Sequence, residues 1–136
     1  MCADVLEHVP DPAGVLRRLR QAAKPEARFI ISVPNVAHLA IRMMLLFGYF
    51  PKMDRGILDR THLHYFTRDT AEELLRQAGL RVEAFIATGV PLEEVWRTGR
   101  ETWLFDKLVR LQHILIDLAP RLFGFQWIFV ARATGP

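Results

Sequence analysis

The chain has 136 residues, 51% hydrophobic and 24% charged, which suits one packed domain and excludes a disordered tail. Its 18 Lys and Arg against 15 Asp and Glu give +3, scattered without a run of like sign, so no nucleic-acid partner is expected. Cys2 is the single cysteine, which excludes an internal disulfide and points to a cytoplasmic location.

The chain begins Met-Cys-Ala-Asp, meeting an acid before any apolar run, and so does not resemble a signal peptide; Asp4–Val9 is a short segment before Pro10-Asp11-Pro12. Asp11 then stands as an N-cap with Pro12 at the first helical position, and the helix runs to about Ala23 with Val15, Leu16, Leu19, Ala22 and Ala23 on one stripe. Lys24-Pro25 stops it. Arg28–Val33 is apolar with almost no alternation, the pattern of a strand covered on both faces. Val36–Phe50 reads as a helix and Pro51–Phe66 as a polar connection. Thr67 caps a second amphipathic helix, Arg68–Ala78, and Gly79 stands where a left-handed C-terminal residue is expected. Leu80–Thr88 is a strand. Leu92–Leu118 is helical in pattern with a break near Thr98-Gly99, and Pro120 ends it. Gln126–Ala133 is the third strand.

No element is expected to cross a membrane. Leu39–Phe50 is too short and holds Arg42, while Trp103–Val130 is interrupted by Asp106, Lys107, Arg110, Asp117 and Arg121. Helices alternating with strands define an α/β layer, yet three strands make a small sheet for such a chain.

Asp4-Val5-Leu6-Glu7-His8-Val9-Pro10-Asp11-Pro12 resembles the segment after the fourth strand of class I S-adenosylmethionine-dependent methyltransferases, especially the ubiquinone-biosynthesis-like group. Leu16–Ala23, Lys24-Pro25, Phe29–Asn35, Asp59–Thr67 and Ala78-Gly79-Leu80 continue the likeness in order, with Glu26-Ala27 replacing the glycines of the family's turn. The resemblance implies a truncated Rossmann-like fold over residues 1–136, the C-terminal half of the domain. Its three-stranded mixed sheet would be ordered five, seven, six, with helices on both faces and helical or lid insertions at 36–66 and 90–125. The family's Gly-rich cofactor loop has no counterpart, since no two of the eight glycines lie closer than eight residues. The parent activity would be methyl transfer from S-adenosylmethionine to a small-molecule acceptor, with this chain inactive alone. A non-catalytic interaction or membrane-surface module derived from such an enzyme is the alternative, and a metal-dependent hydrolase using Asp4, Glu7 and His8 a weaker third.

By position in that family, Cys2, Ala3, Asp4 and Val5 would line the cofactor, although Cys2 would otherwise be an exposed terminal thiol. Asp4, Glu7 and His8 fall at i, i+3 and i+4, one face of a helical turn, where they could hold a divalent metal or make structural hydrogen bonds. His8 and His62 are the candidates for acid–base chemistry. His62 lies in the polar cluster Asp59, Arg60, Thr61, His62, His64 and Tyr65, for which anchoring of the loop to the helix at Thr67 is the favoured role. The greasy stretches Leu39–Phe50 and Trp103–Phe129 suggest an apolar acceptor, or ordinary core. The unpaired edge of the strand at Arg28–Val33 is expected to recruit a second chain.

Overall fold

In the computed structural model, residues 1–92 and 103–134 are described. The elements in chain order are β1 (Cys2–Ala3), α1 (Pro12–Ala22), β2 (Arg28–Pro34), α2 (Leu39–Leu46), α3 (Arg68–Gln77), β3 (Leu80–Thr88), α4 (Trp103–Leu118), α5 (Pro120–Phe123) and β4 (Gln126–Ala133). The caps explain the helix starts. Asp11 Oδ1 accepts the Gly14 amide at 2.8 Å, and Thr67 and Thr70 exchange side-chain and backbone hydrogen bonds in a reciprocal box. Gly79 ends α3 at φ +74°, and a Cβ there would stand 2.6 Å from the Arg20 guanidinium, which itself donates to the Thr134 carbonyl.

Among the described residues the sheet has four strands in the order β1-β2-β4-β3, with β1 parallel to β2 and β4 antiparallel to both of its neighbours. The expected order five, seven, six is β2-β4-β3. The three-strand expectation is corrected by β1, which pairs Cys2 with Ile31 and Ala3 with Ser32. Two residues carry no alternation, so nothing local announces such a strand. The pairing also buries Cys2, against the expectation of an exposed thiol. It covers only part of the edge: on the β1 side, Arg28–Ile30 have no strand partner among the described residues.

Register sets the two faces. Ile31 and Val33 lie beside Phe129 and Trp127, and with Leu16, Leu75 and Leu80 they form one core to which α1 and α3 contribute. Trp127 and Phe129 are fully buried. The opposite face carries Ile30, Ile86 and Val130; Ile30 is 43% exposed and Ile86 59% exposed. The expected helices on both faces are therefore found on one for α1 and α3. Glu83 sits at a register shift in β3 and pairs with Arg28 and Arg132 at that end of the open face.

Two boundaries differ from expectation. The helix expected over Val36–Phe50 is only Leu39–Leu46, because His38 caps it by accepting the Ala40 amide and Gly48 turns left-handed at φ +71°. Pro120 both ends α4 and opens α5, where its missing N–H costs nothing. The expected break at Thr98-Gly99 lies outside the described residues. No described helix is long and apolar enough to cross a membrane.

Candidate functional site

The site forms where the turn after β1 meets the connection between α2 and α3. The Glu7 carbonyl accepts the amides of Leu63 at 2.7 Å and His64 at 3.1 Å, which ties the connection onto the turn. This brings His62 beside Glu7 and His8. One potential ligand atom from each of the three lies within 4.8 Å of the others, and the two imidazole rings meet edge to face with centroids 4.7 Å apart.

Glu7 is 1% exposed, and neither carboxylate oxygen has a hydrogen-bond partner among the described residues. Burial pushes its pKa above the ordinary value, with the negative charge of Asp4 adding to the rise; its own backbone hydrogen bond and the two histidines pull the other way. An orphaned carboxylate is expensive to bury, so it marks a place where a proton or a cation belongs.

Both histidines offer the same ring nitrogen. His62 Nδ1 is 3.0 Å from the Ile57 carbonyl, and His8 Nδ1 is 3.3 Å from the Thr61 carbonyl. A carbonyl only accepts, so Nδ1 carries the hydrogen in each, and in the neutral ring Nε2 keeps the lone pair. A buried carboxylate with two Nε2 lone pairs is a donor set for a borderline or hard divalent cation.

Asp4 lies apart from this trio. It adopts a left-handed backbone at φ +51°, not the helical turn expected from its spacing, and its carboxylate accepts from Ser32 Oγ at 3.1 Å and from Gln126 Nε2. Its amide donates to Ser32 Oγ at 3.2 Å. A non-glycine residue there is uncommon, Asp being among the more tolerant, and here side-chain bonds from two strands fix it. Ser32 and Gln126 are site residues that sequence reasoning did not find; Gln126 is 122 positions from Asp4, and no local signal joins them. Of the positions matched to the cofactor, Cys2 is buried in β1, with its thiol pKa raised by burial, whereas Ala3 and Val5 are exposed.

Glu7, His8, His62, Asp4, Asp59 and Gln126 contribute to the wall of an open pocket of about 550 Å³. A second pocket of about 570 Å³ shares Gly56, Pro91 and Phe125 with it. Ile41, Met53, Ile57 and Leu58 make the second one apolar, with His38 as a polar wall residue whose pKa is held down by burial. The large side chains of α2 and the turn after it divide: Ile41 faces inward, while Leu46 and Phe47 stand 74% and 79% exposed.

Residues 1–84 match the family model described as a methyltransferase domain. The chain belongs to that family. Among curated proteins it is 35% identical over 104 residues to the ubiquinone biosynthesis O-methyltransferase of Aeromonas salmonicida (strain A449). That match covers 73% of this chain and 42% of the relative, so the chain spans less than half of the relative's length. Among solved structures, the small RNA methyltransferase HEN1 matches with a TM-score of 0.55 and 18% identity, over 99% of this chain and 13% of that one. The phosphoethanolamine N-methyltransferase 2 of Haemonchus contortus, in complex with S-adenosyl-L-methionine, gives 0.51 and 15% over 98% and 32%. A chain of the complex between the Haloferax volcanii Trm112 methyltransferase activator and a putative methyltransferase gives 0.51 and 13% over 98% and 52%. At such identities the likeness is one of fold, and it establishes the α/β methyltransferase-like architecture. The expected exclusion of nucleic acid finds no support in it, one of these proteins being a small RNA methyltransferase.

Proposed function

We propose that the chain is the C-terminal half of a methyltransferase domain, and that the domain moves a methyl group from S-adenosylmethionine to a hydroxyl of a small, partly apolar acceptor. The sulfonium makes the methyl group electrophilic, so the protein's task is to position the acceptor and remove its proton. The single observation that carries this reading is the buried, unpartnered Glu7 carboxylate facing two imidazoles with tied Nδ1 atoms.

Glu7, His8 and His62 fit a divalent cation by donor type and by the empty hydrogen-bonding capacity of Glu7. When bound, such a cation would lower the pKa of a coordinated hydroxyl. The residues themselves do the rest. Before a cation is bound, Nε2 of His8 or His62 can take the acceptor's proton; with a cation bound those lone pairs would be committed to it, and the proton of the acidified hydroxyl would pass to solvent at the open pocket. The Asp4–Ser32–Gln126 bonds hold the end of β1, with Cys2, Ala3, Asp4 and Val5 as the cofactor side of the site. The apolar pocket beside it suits the non-reacting arm of the acceptor, its wall coming from the segment 36–66 together with Val90, Pro91 and Phe125.

With no Gly-rich loop in its sequence, the isolated chain is expected to give no turnover. Joined behind the Gly-rich half of a related methyltransferase domain, it should bind S-adenosylmethionine in calorimetry and methylate a phenolic acceptor. Glu7→Gln and His62→Ala should each lower that rate by roughly 100-fold, the scale of a lost acid–base group. A chimera that binds the cofactor and methylates equally well with both substitutions contradicts the assigned roles.

A further inference from the structure

We propose that Asp59 and Thr61 are positioning residues that lock His8 in its Nδ1–H tautomer, so that its Nε2 lone pair stays turned over to a divalent cation. The use of that lone pair rests on the metal site proposed above; the tautomer itself does not.

The geometry is a short chain of bonds. Thr61 Oγ1 donates its one hydrogen to Asp59 Oδ1 at 2.6 Å, and the Thr61 amide donates to the same oxygen at 2.8 Å. The hydroxyl is therefore fixed in rotamer and has only lone pairs left for His8 Nδ1, 3.1 Å away. The Thr61 carbonyl, 3.3 Å from that nitrogen, is a second acceptor and can be nothing else. Two acceptors on one residue thus face Nδ1, and Asp59 is what keeps the hydroxyl from becoming a donor. His62 is set by the Ile57 carbonyl, which no side-chain substitution removes. Asp59 and Thr61 are accordingly the two positions where the arrangement can be altered chemically.

Histidines that ligate metals commonly hand the other ring N–H to a fixed acceptor, and losing that acceptor weakens binding 10–100-fold. The loop 57–62 does this for two imidazoles at once. It also accounts for the density of polar residues in a segment that reads, from the sequence, as an anchor for the helix at Thr67.

The test is long-range nitrogen–proton NMR on the metal-free chain labelled at histidine, at about pH 8, above the ordinary imidazole range. It is paired with calorimetric titration of Mg²⁺. Wild type should show His8 with Nδ1–H. In Asp59→Ala the freed hydroxyl can donate, and His8 should move toward the Nε2–H form. Mg²⁺ affinity should fall roughly 10–100-fold in Asp59→Ala and Thr61→Val, while Thr61→Ser keeps the hydroxyl and stays close to wild type. A wild-type His8 in the Nε2–H form overturns the proposal, as does an Asp59→Ala protein with unchanged tautomer and unchanged Mg²⁺ affinity. If Mg²⁺ does not bind wild type, Mn²⁺ takes its place in the titration; if neither binds, the metal site falls, and the tautomers of wild type and Asp59→Ala still decide the positioning role. Should a variant fail to fold by circular dichroism, the wild-type tautomer and Thr61→Ser carry the decision.

Discussion

Replacing Glu7 by Gln should make the metal-free protein more stable and the site less able to bind a cation. The side chain is 1% exposed and both oxygens lack partners among the described residues, so at about pH 7 the fold either carries an uncompensated buried charge or takes up a proton. Proton uptake bounds the cost. From the ordinary value of 4.5 to pH 7, at 1.36 kcal/mol per unit, the penalty cannot exceed about 3.4 kcal/mol. Gln keeps the shape and is an orphan of the same kind as the protonated acid, so the two match at low pH and the gain at neutrality is the part of that bound that the raised pKa spans. A net gain of roughly 1–2 kcal/mol is expected, raising the melting temperature by about 2–8 °C in a domain of this size. The sign follows from the raised pKa: the folded protein holds this proton more tightly, so stability is fully present below 4.5 and declines as pH rises through the folded value. The difference between variant and wild type should therefore vanish below about pH 4.5 and grow toward neutrality. Denaturant melts in chelator across that range provide the assay. A variant less stable than wild type at neutral pH, or a gain independent of pH, would refute the idea that Glu7 is buried without a partner. Saturating Mn²⁺ should reverse the order, since a cation at 100 times its Kd adds about 2.7 kcal/mol to wild type alone.

Gly79→Ala should cost about 1–2 kcal/mol in chemical denaturation, because the residue holds φ +74° and the new methyl group meets the Arg20 guanidinium. His38 has its pKa lowered by burial, so its contribution to stability is fully present above 6.5 and lost as pH falls through the folded value. His38→Asn, which keeps a capping side chain, should flatten that acid-side decline, and an unchanged slope in pH melts would count against it. Ile30 lies on the open sheet face at the unpaired part of the β2 edge; sedimentation at high concentration should show self-association that Ile30→Lys weakens. Wild type sedimenting as a monomer throughout would remove that edge as an interface. Cys2 should react slowly with a maleimide in the native state and quickly in denaturant, since burial both covers the thiol and raises its pKa.

How far the sequence reaches depends on the range of each interaction. α1 and α3 are legible because Asp11, Pro12, Thr67 and Gly79 act within one turn of themselves. β2, β3 and β4 are legible because seven to nine residues carry enough pattern, and β1 is not, because its two residues gain meaning only from Ile31 and Ser32. Within the site, Glu7 and His8 follow from adjacency, and Asp4 would join them only if the turn were helical; its left-handed backbone sends it to Ser32 and Gln126 instead. His62 reaches the pair through two hydrogen bonds to the Glu7 carbonyl from 56 and 57 residues away, a long-range closure that no spacing rule encodes.

The most direct test of the central claim is a Mn²⁺ titration followed by paramagnetic broadening of backbone amide signals. Signals of Glu7, His8 and residues 57–62 should disappear first, and Glu7→Gln should protect them at the same ion concentration. Broadening confined to exposed acids such as Asp54 or Asp117, with the Glu7–His8 turn untouched, would contradict it.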